Sequence, residues 1–160
     1  MQKYVLVCLL KKLDEGTEFT STSWPLHVTI ASNFVVDWGA TNLLYKLTAL
    51  LTNRKPIKTT AGDDEYFGDK KQIHVTILDK HDEMTALHND IIGLLKSVGA
   101  IFDEPNYLEE GYKAHVTVQS DARVHKGDLI VIDNVTVVDM FARKDIRGRK
   151  ILKSFHLIDS

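Results

Sequence analysis

The sequence predicts an α+β domain, and three observations carry that prediction. The tripeptide His-Val-Thr occurs at residues 27–29, 74–76 and 115–117, each time inside a β-branched run (LHVTI, IHVTI, AHVTV) of the kind that forms strands. Two segments between these runs instead space their apolar residues helically: Leu43, Leu44, Leu47, Leu50 and Leu51, then Met84, Leu87, Ile91, Leu94 and Leu95. No linker, low-complexity stretch or composition shift divides the 160 residues, a length suited to a single domain spanning 1–160 with a sizeable core.

Each element follows from its local pattern. Residues 3–11 form an apolar strand ended by Lys11-Lys12, and the polar stretch 12–23 (KLDEGTEFTSTS) reads as a loop. Pro25 leads into the first His-Val-Thr strand, about 26–33, and Asp37 is placed to cap a helix running to about Asn53. Pro56 opens a strand near 57–61, Gly62-Asp63-Asp64 has turn chemistry, and the second repeat strand covers about 71–78. Asp79 or His81 begins a second helix to about Val98, with Gly99 as its stop. A loop containing Pro105 and Gly111 precedes the third repeat strand, 113–119. Residues 129–141 are strongly β-branched, Arg143–Lys150 reads as a basic turn, and 150–158 closes the chain as a strand. The resulting order is β-β-α-β-β-α-β-β-β. Alternating strands of this kind place one sheet face on helices and leave another to line a cleft.

Composition narrows the function classes. A 44% hydrophobic, 26% charged chain with net charge −2 has no global attraction to nucleic acid or membrane, so an anion site must be local. The single cysteine, Cys8, has no intrachain partner and suits a buried thiol in a reducing compartment. The run Tyr4–Leu10 is too short to span a bilayer and lacks a basic leader or cleavage site, which makes cytoplasmic the default location.

On a strand, residues i and i+2 share a face, so every repeat presents an imidazole beside a hydroxyl. Phasing the middle strand on Ile73, Val75 and Ile77 puts Gln72, His74 and Thr76 opposite them. The same argument sets Leu26, Val28, Ile30 and Ala114, Val116, Val118 toward the core. All three His-Thr pairs are therefore expected on polar faces. Two histidines with ordinary pKa values near 6.5 suit general acid and base work on a phosphodiester. Threonine hydroxyls can donate to its non-bridging oxygens. No metal or other cofactor is called for.

Two His-x-Thr strands separated by a helix, two strands and a second helix resemble the two-histidine (2H) phosphoesterase superfamily, the 2′-5′ RNA ligase-like proteins. The resemblance runs from the opening strand YVLVCLL through HVTI, IKTTAGDDEYFG, KKQIHVTIL, SVGA and AHVTV to KSFHLID. It implies a bilobal fold in which two antiparallel sheets line a central cleft with helices outside. It also implies metal-independent hydrolysis of 2′,3′-cyclic phosphates or of 2′-5′-linked or cyclic oligonucleotides. By position, His27 and Thr29 match the first family motif and His115 and Thr117 the second. The middle copy departs from the family pattern: His74 and Thr76 line the cleft, stand by on the sheet, or replace an outer copy. The 12–23 loop is a second departure, since many members carry a helix there.

Further candidates surround the motifs. Tyr112 and Lys113 precede the third repeat, and Lys144, Arg147, Arg149 and Lys150 form the densest basic cluster, where arginine would grip a phosphate bidentately. Trp24, Tyr66, Phe67 and Tyr112 are placed either to stack on a base or to pack at the cleft rim. His81 and His88, off the apolar stripe of their helix, are expected to be exposed, His125 to lie in a loop, and Asp63, Asp64 and Glu65 to form a solvated turn. Two other function classes stay open. His27, His74 and His115 on neighbouring strands can supply three zinc ligands, and the cleft can bind RNA or a nucleotide without cutting it. The modest charge favours a small nucleotide or short oligonucleotide as substrate, with no membrane and no obligate protein partner indicated.

Overall fold

The computed structural model describes residues 2–37 and 40–159. In chain order the elements are β1 (Gln2–Leu9), β2 (Glu18–Thr20), β3 (His27–Val36), α1 (Ala40–Leu51), β4 (Ile57–Phe67), β5 (Ile73–Leu78), α2 (Asp82–Ser97), β6 (Ile101–Phe102), β7 (His115–Thr117), β8 (Leu129–Ile132), β9 (Asn134–Asp139) and β10 (Gly148–His156). The α+β class expected from the sequence holds. Nine strands run antiparallel in the order β2-β10-β9-β1-β3-β7-β5-β4-β8, with β6 paired to β3. The sheet is open, and its two halves join where β7 pairs β3 on one side and β5 on the other.

Both helices pack on one face of this sheet. Leu43, Leu47 and Leu51 recur every fourth residue of α1 and meet Met84, Leu87, Ile91 and Leu95 of α2 over Leu6, Cys8, Val28, Ile30, Val116 and Ile132. Each such leucine contributes about 1.5–3 kcal/mol by leaving water. His81 caps α2 by accepting the Glu83 amide at Nδ1 (3.2 Å), with Asp82 and Glu83 in the first turn and Lys96 in the last. This arrangement complements the helix dipole. Gly99, at φ +83°, ends it in the left-handed region that a side chain rarely adopts. The opposite sheet face carries a smaller cluster, Val5, Val7, Leu9, Val138 and Ile151, against which Phe19 and Trp24 pack.

Several local expectations change. The stretch 12–23 is a loop except for Glu18–Thr20, which adds an edge strand to β10. Gly62-Asp63-Asp64 does not turn the chain. It forms an irregularity inside β4, between the Ala61↔Leu78 and Asp64↔Thr76 pairs. There a Cβ on Gly62 would stand 3.0 Å from both the Ile77 carbonyl and the Asp79 carboxylate. The β-branched run 129–141 is two strands, because the chain changes partners at Asp133: β8 pairs β4, and β9 pairs β1 and β10. The Asn134 side chain fixes that change through hydrogen bonds to the Leu9 amide (3.0 Å) and carbonyl (2.9 Å). The third repeat strand is only His115–Thr117, and the basic turn ends at Arg147, after which β10 begins. The helix start expected after Asp37 falls at residues 38–39, outside the described residues.

His88 is the largest departure. It is fully buried rather than exposed. Its Nδ1–H donates to the Ile30 carbonyl (2.6 Å) and its Nε2 accepts the Glu109 amide (3.0 Å). The ring stacks on Tyr112 with centroids 3.7 Å apart and planes 5° from parallel. Neighbouring Met84, Leu87 and Ile91 on α2 are buried with it, so a neutral, doubly bonded imidazole completes the helix face.

Candidate active site

The pairing of Val28 with Val116 brings the first and third repeats together. Counting outward along antiparallel strands sets His27 opposite Thr117 and Thr29 opposite His115, with all four on the face opposite the two valines. The valines point into the helix-side core, so the four polar side chains face the other way. The result is a square with its histidines on one diagonal, about 7–8 Å apart at the backbone. Val7 and Leu9 of β1 lie beside it, paired with Thr29 and His27.

Both imidazoles are held alike. His27 Nδ1 donates to the Pro25 carbonyl (2.8 Å), and His115 Nδ1 to the Lys113 carbonyl (2.9 Å). A proton fixed on Nδ1 leaves Nε2 as the free nitrogen of each neutral ring. Trp24 lies against His27 with centroids 4.7 Å apart, and Phe67 meets His115 edge-on at 4.7 Å. Burial pushes the His27 imidazole below its ordinary value. The Pro25 hydrogen bond opposes that shift, and the neighbouring His115 adds to it. Burial also lowers His115, against the opposing Lys113 hydrogen bond.

Cavities open on either side of the square. One, of about 550 Å³, touches His27 and Thr117 and is walled by Ser21, Ser23, Trp24, Gln119 and Asp121. The other, of about 730 Å³, touches Thr29 and His115 and is walled by Phe67, Tyr107, Lys113 and several carboxylates. The loop residues Ser21, Ser23 and Asp121 carry no periodic signal. Gln119, two residues beyond Thr117, was traceable as the next position on the same strand face.

The middle repeat faces the other way. β5 pairs β7 with Val75 opposite Thr117, Thr76 opposite Val116 and Ile77 opposite His115. Val75 and Ile77 therefore share the face of the outer His-Thr pairs, and His74 and Thr76 point to the helix side. There His74 Nε2 donates to Asp64 (2.8 Å) and stacks on Tyr66, while the fully buried Thr76 donates to the same carboxylate (3.1 Å). Arg123 completes the group at 2.8 and 3.1 Å from the two Asp64 oxygens. Arg123 first, then His74, holds the Asp64 carboxyl down to about 2. The expectation that all three pairs share one face is thus corrected, as is a cleft-lining role for His74 and Thr76. The phasing failed because the apolar set of β5 is not its buried set: Ile73 stays exposed on the cleft face, whereas the polar Thr76 is fully buried on the other face with His74 beside it. The three-histidine zinc arrangement fails for the same reason. Among the described residues no group of three or more His, Cys, Asp or Glu side chains is disposed to hold a metal ion.

The remaining candidates divide. Tyr112 lines the larger cavity, with its hydroxyl donating to the Thr29 carbonyl (2.8 Å) and its pKa raised by burial. Lys113 lines the larger cavity, and its ammonium pairs with Glu65 at 2.9 Å. Arg149 turns its guanidinium onto the Met140, Ile146 and Gly148 carbonyls and lies 6.0 Å from the Trp24 ring centroid. The Arg147 side chain is exposed outside both cavities, and its carbonyl accepts the Ser21 amide (2.9 Å).

An open antiparallel sheet with two helices on one face and paired His-x-Thr strands on the other is the arrangement expected of the two-histidine phosphoesterase superfamily. A family model of the 2′-5′ RNA ligase superfamily matches residues 12–131, and the chain belongs to that family. It is a phosphoester-acting protein by membership. Solved structures share the fold at low identity. One titled a phosphoesterase is 15% identical over 99% of both chains, with TM-score 0.61. Escherichia coli LigT complexed with 3′-AMP is 13% identical over 99% of both chains (TM-score 0.60), and LigT complexed with NADP+ is 15% identical over 99% of this chain and 98% of its own (0.60). No curated protein sequence matches the chain. No helix among the described residues is long and apolar enough to cross a membrane.

Proposed function

We propose that the chain is a phosphodiesterase that hydrolyses a 2′,3′-cyclic or 2′-linked nucleotide phosphate, with His27 and His115 as its base and acid. The observation that carries this is the shared tethering of the two imidazoles. Each Nδ1–H is spent on a carbonyl two residues earlier, so each Nε2 is left for the substrate. A phosphate held over the square meets one neutral Nε2 that takes a proton from attacking water. The diagonal imidazolium gives its proton to the leaving 2′ or 3′ oxygen. One P–O bond forms, one breaks, and the two histidines end with exchanged protonation. Thr29 and Thr117 donate to the non-bridging oxygens, where charge grows as the phosphorus becomes five-coordinate. Burial keeps both rings neutral at rest, and the bound phosphate anion favours protonating one of them. The binding of 3′-AMP and NADP+ by LigT supports a nucleoside-bearing phosphate as the ligand class here, without carrying over the terminal phosphates or the pyrophosphate of those two ligands.

The test is hydrolysis of nucleoside 2′,3′-cyclic phosphates and 2′-5′ dinucleotides in EDTA, comparing wild type with His27→Ala and His115→Ala. Turnover in wild type that vanishes in both variants is the expected result. Full activity in both variants overturns the assignment.

A further inference from the structure

The charges around the square do not suit a polyanion. The cavity on the His27 side is walled by serine and glutamine hydroxyl and amide groups and one carboxylate, Asp121, with no lysine or arginine among its lining residues. The cavity on the His115 side carries Asp69, Asp103 and Glu104 against Lys113; Lys113 is paired with Glu65 and Asp103 with Lys3, so Asp69 and Glu104 are its carboxylates left without a cation among the described residues. Two arginines that would rebalance this are committed elsewhere. Arg123 is held by Asp64 on the opposite sheet face, and Arg149 is spent on three backbone carbonyls. A phosphate placed at the square therefore meets hydroxyls and two imidazoles, whereas a second phosphate placed in either cavity meets carboxylates.

From this we infer that the cleft selects a phosphodiester whose only negative charge is the scissile one. This rests on the phosphodiesterase reading above and deepens it. The group on the His27 side is a neutral, hydrogen-bond-donating one, since Asp121 accepts from a hydroxyl or the exocyclic amino group of a base and Trp24 offers a ring to stack on. The group on the His115 side is neutral or cationic, set against Phe67 and Tyr107. Terminal phosphates, pyrophosphates and longer oligonucleotide strands are rejected by like charge at the walls. Asp121 and Glu104 act as specificity determinants that touch the substrate's flanks rather than its reacting atoms.

The experiment compares a nucleoside 2′,3′-cyclic phosphate bearing a 5′-hydroxyl with the same compound bearing a 5′-phosphate. Both are assayed at low and high salt with wild type, Asp121→Asn and Glu104→Gln. The expected kcat/KM for wild type at low salt favours the 5′-hydroxyl compound by about tenfold. That ratio falls as salt rises from about 20 mM to about 300 mM, because the repulsion is screened. At least one neutralising variant also lowers the ratio at low salt. Equal kcat/KM for the two compounds, or a preference for the 5′-phosphate that salt weakens, overturns the proposal while leaving the phosphodiesterase reading intact. Failure to hydrolyse either compound, with 2′-5′ dinucleotides left intact as well, overturns that underlying reading and this proposal with it.

Discussion

Replacing His88 by alanine tests whether the buried imidazole holds the cleft wall in place. The change deletes the partner of the Ile30 carbonyl (2.6 Å) and of the Glu109 amide (3.0 Å) and removes the stack on Tyr112. A buried group left without a hydrogen bond costs about 1–3 kcal/mol, and a lost aromatic stack about 0.5–1.5 kcal/mol. The carbonyl bears the full cost. The Glu109 amide, on an exposed residue, recovers part of its bond from water, so the total is about 2–4 kcal/mol. Urea unfolding followed by tryptophan fluorescence measures it, and His88→Gln, which keeps a donor and an acceptor, recovers part of the loss. Acid adds a second readout. Burial holds His88 below its ordinary value, so as pH falls the unfolded chain binds the proton first. The histidine's contribution is complete above about pH 6.5 and is lost as pH falls through its lower native value. His27 and His115 shift in the same direction; the difference between wild type and His88→Gln isolates the His88 share. A midpoint unchanged by His88→Ala, or a difference curve flat with pH, would refute the reasoning.

Other outcomes follow from the same geometry. His27→Ala and His115→Ala each lower kcat by about 10²–10⁴-fold, with circular dichroism unchanged, and Thr117→Val lowers it by about 10²-fold. The kcat/KM profile against pH is a bell centred below about 6.5, because burial depresses both imidazoles. The kcat profile lies to its alkaline side, because a bound phosphate favours the imidazolium; identical profiles count against a phosphate at the square. His74→Ala keeps turnover within about threefold of wild type, its ring being on the helix face beside Asp64 and Tyr66. A collapse matching that of the His27 variant would show the middle repeat to be catalytic after all.

The outer repeats were legible because a period of two and their place among the helices both pointed to His27 and His115. The middle repeat was not. Its cover on the helix side comes from Arg123 and the 118–124 segment, more than forty residues away, which no local pattern encodes. His88 was missed because a helical histidine beside an apolar stripe has the same spacing whether or not a distant carbonyl waits for it. The division of 129–141 hinges on Asp133 and Asn134, polar residues inside a β-branched run that read from sequence as a minor interruption. The cleft walls at Ser21–Trp24 and Gln119–Asp121 are loops, whose placement depends on the strands they join.

The square around Val28 and Val116 has a local twofold axis, since antiparallel strands bearing the same tripeptide are interchangeable by half a turn. Turning a bound phosphodiester end for end would thus find the same two nitrogens and two hydroxyls with their duties traded. Such a centre has no intrinsic polarity, and by microscopic reversibility it serves bond making as readily as bond breaking. Polarity comes from what breaks the symmetry: indole and hydroxyls at one end, a phenylalanine edge and carboxylates at the other. Exchanging those walls, with both histidines untouched, is the route by which this scaffold would reverse which oxygen leaves.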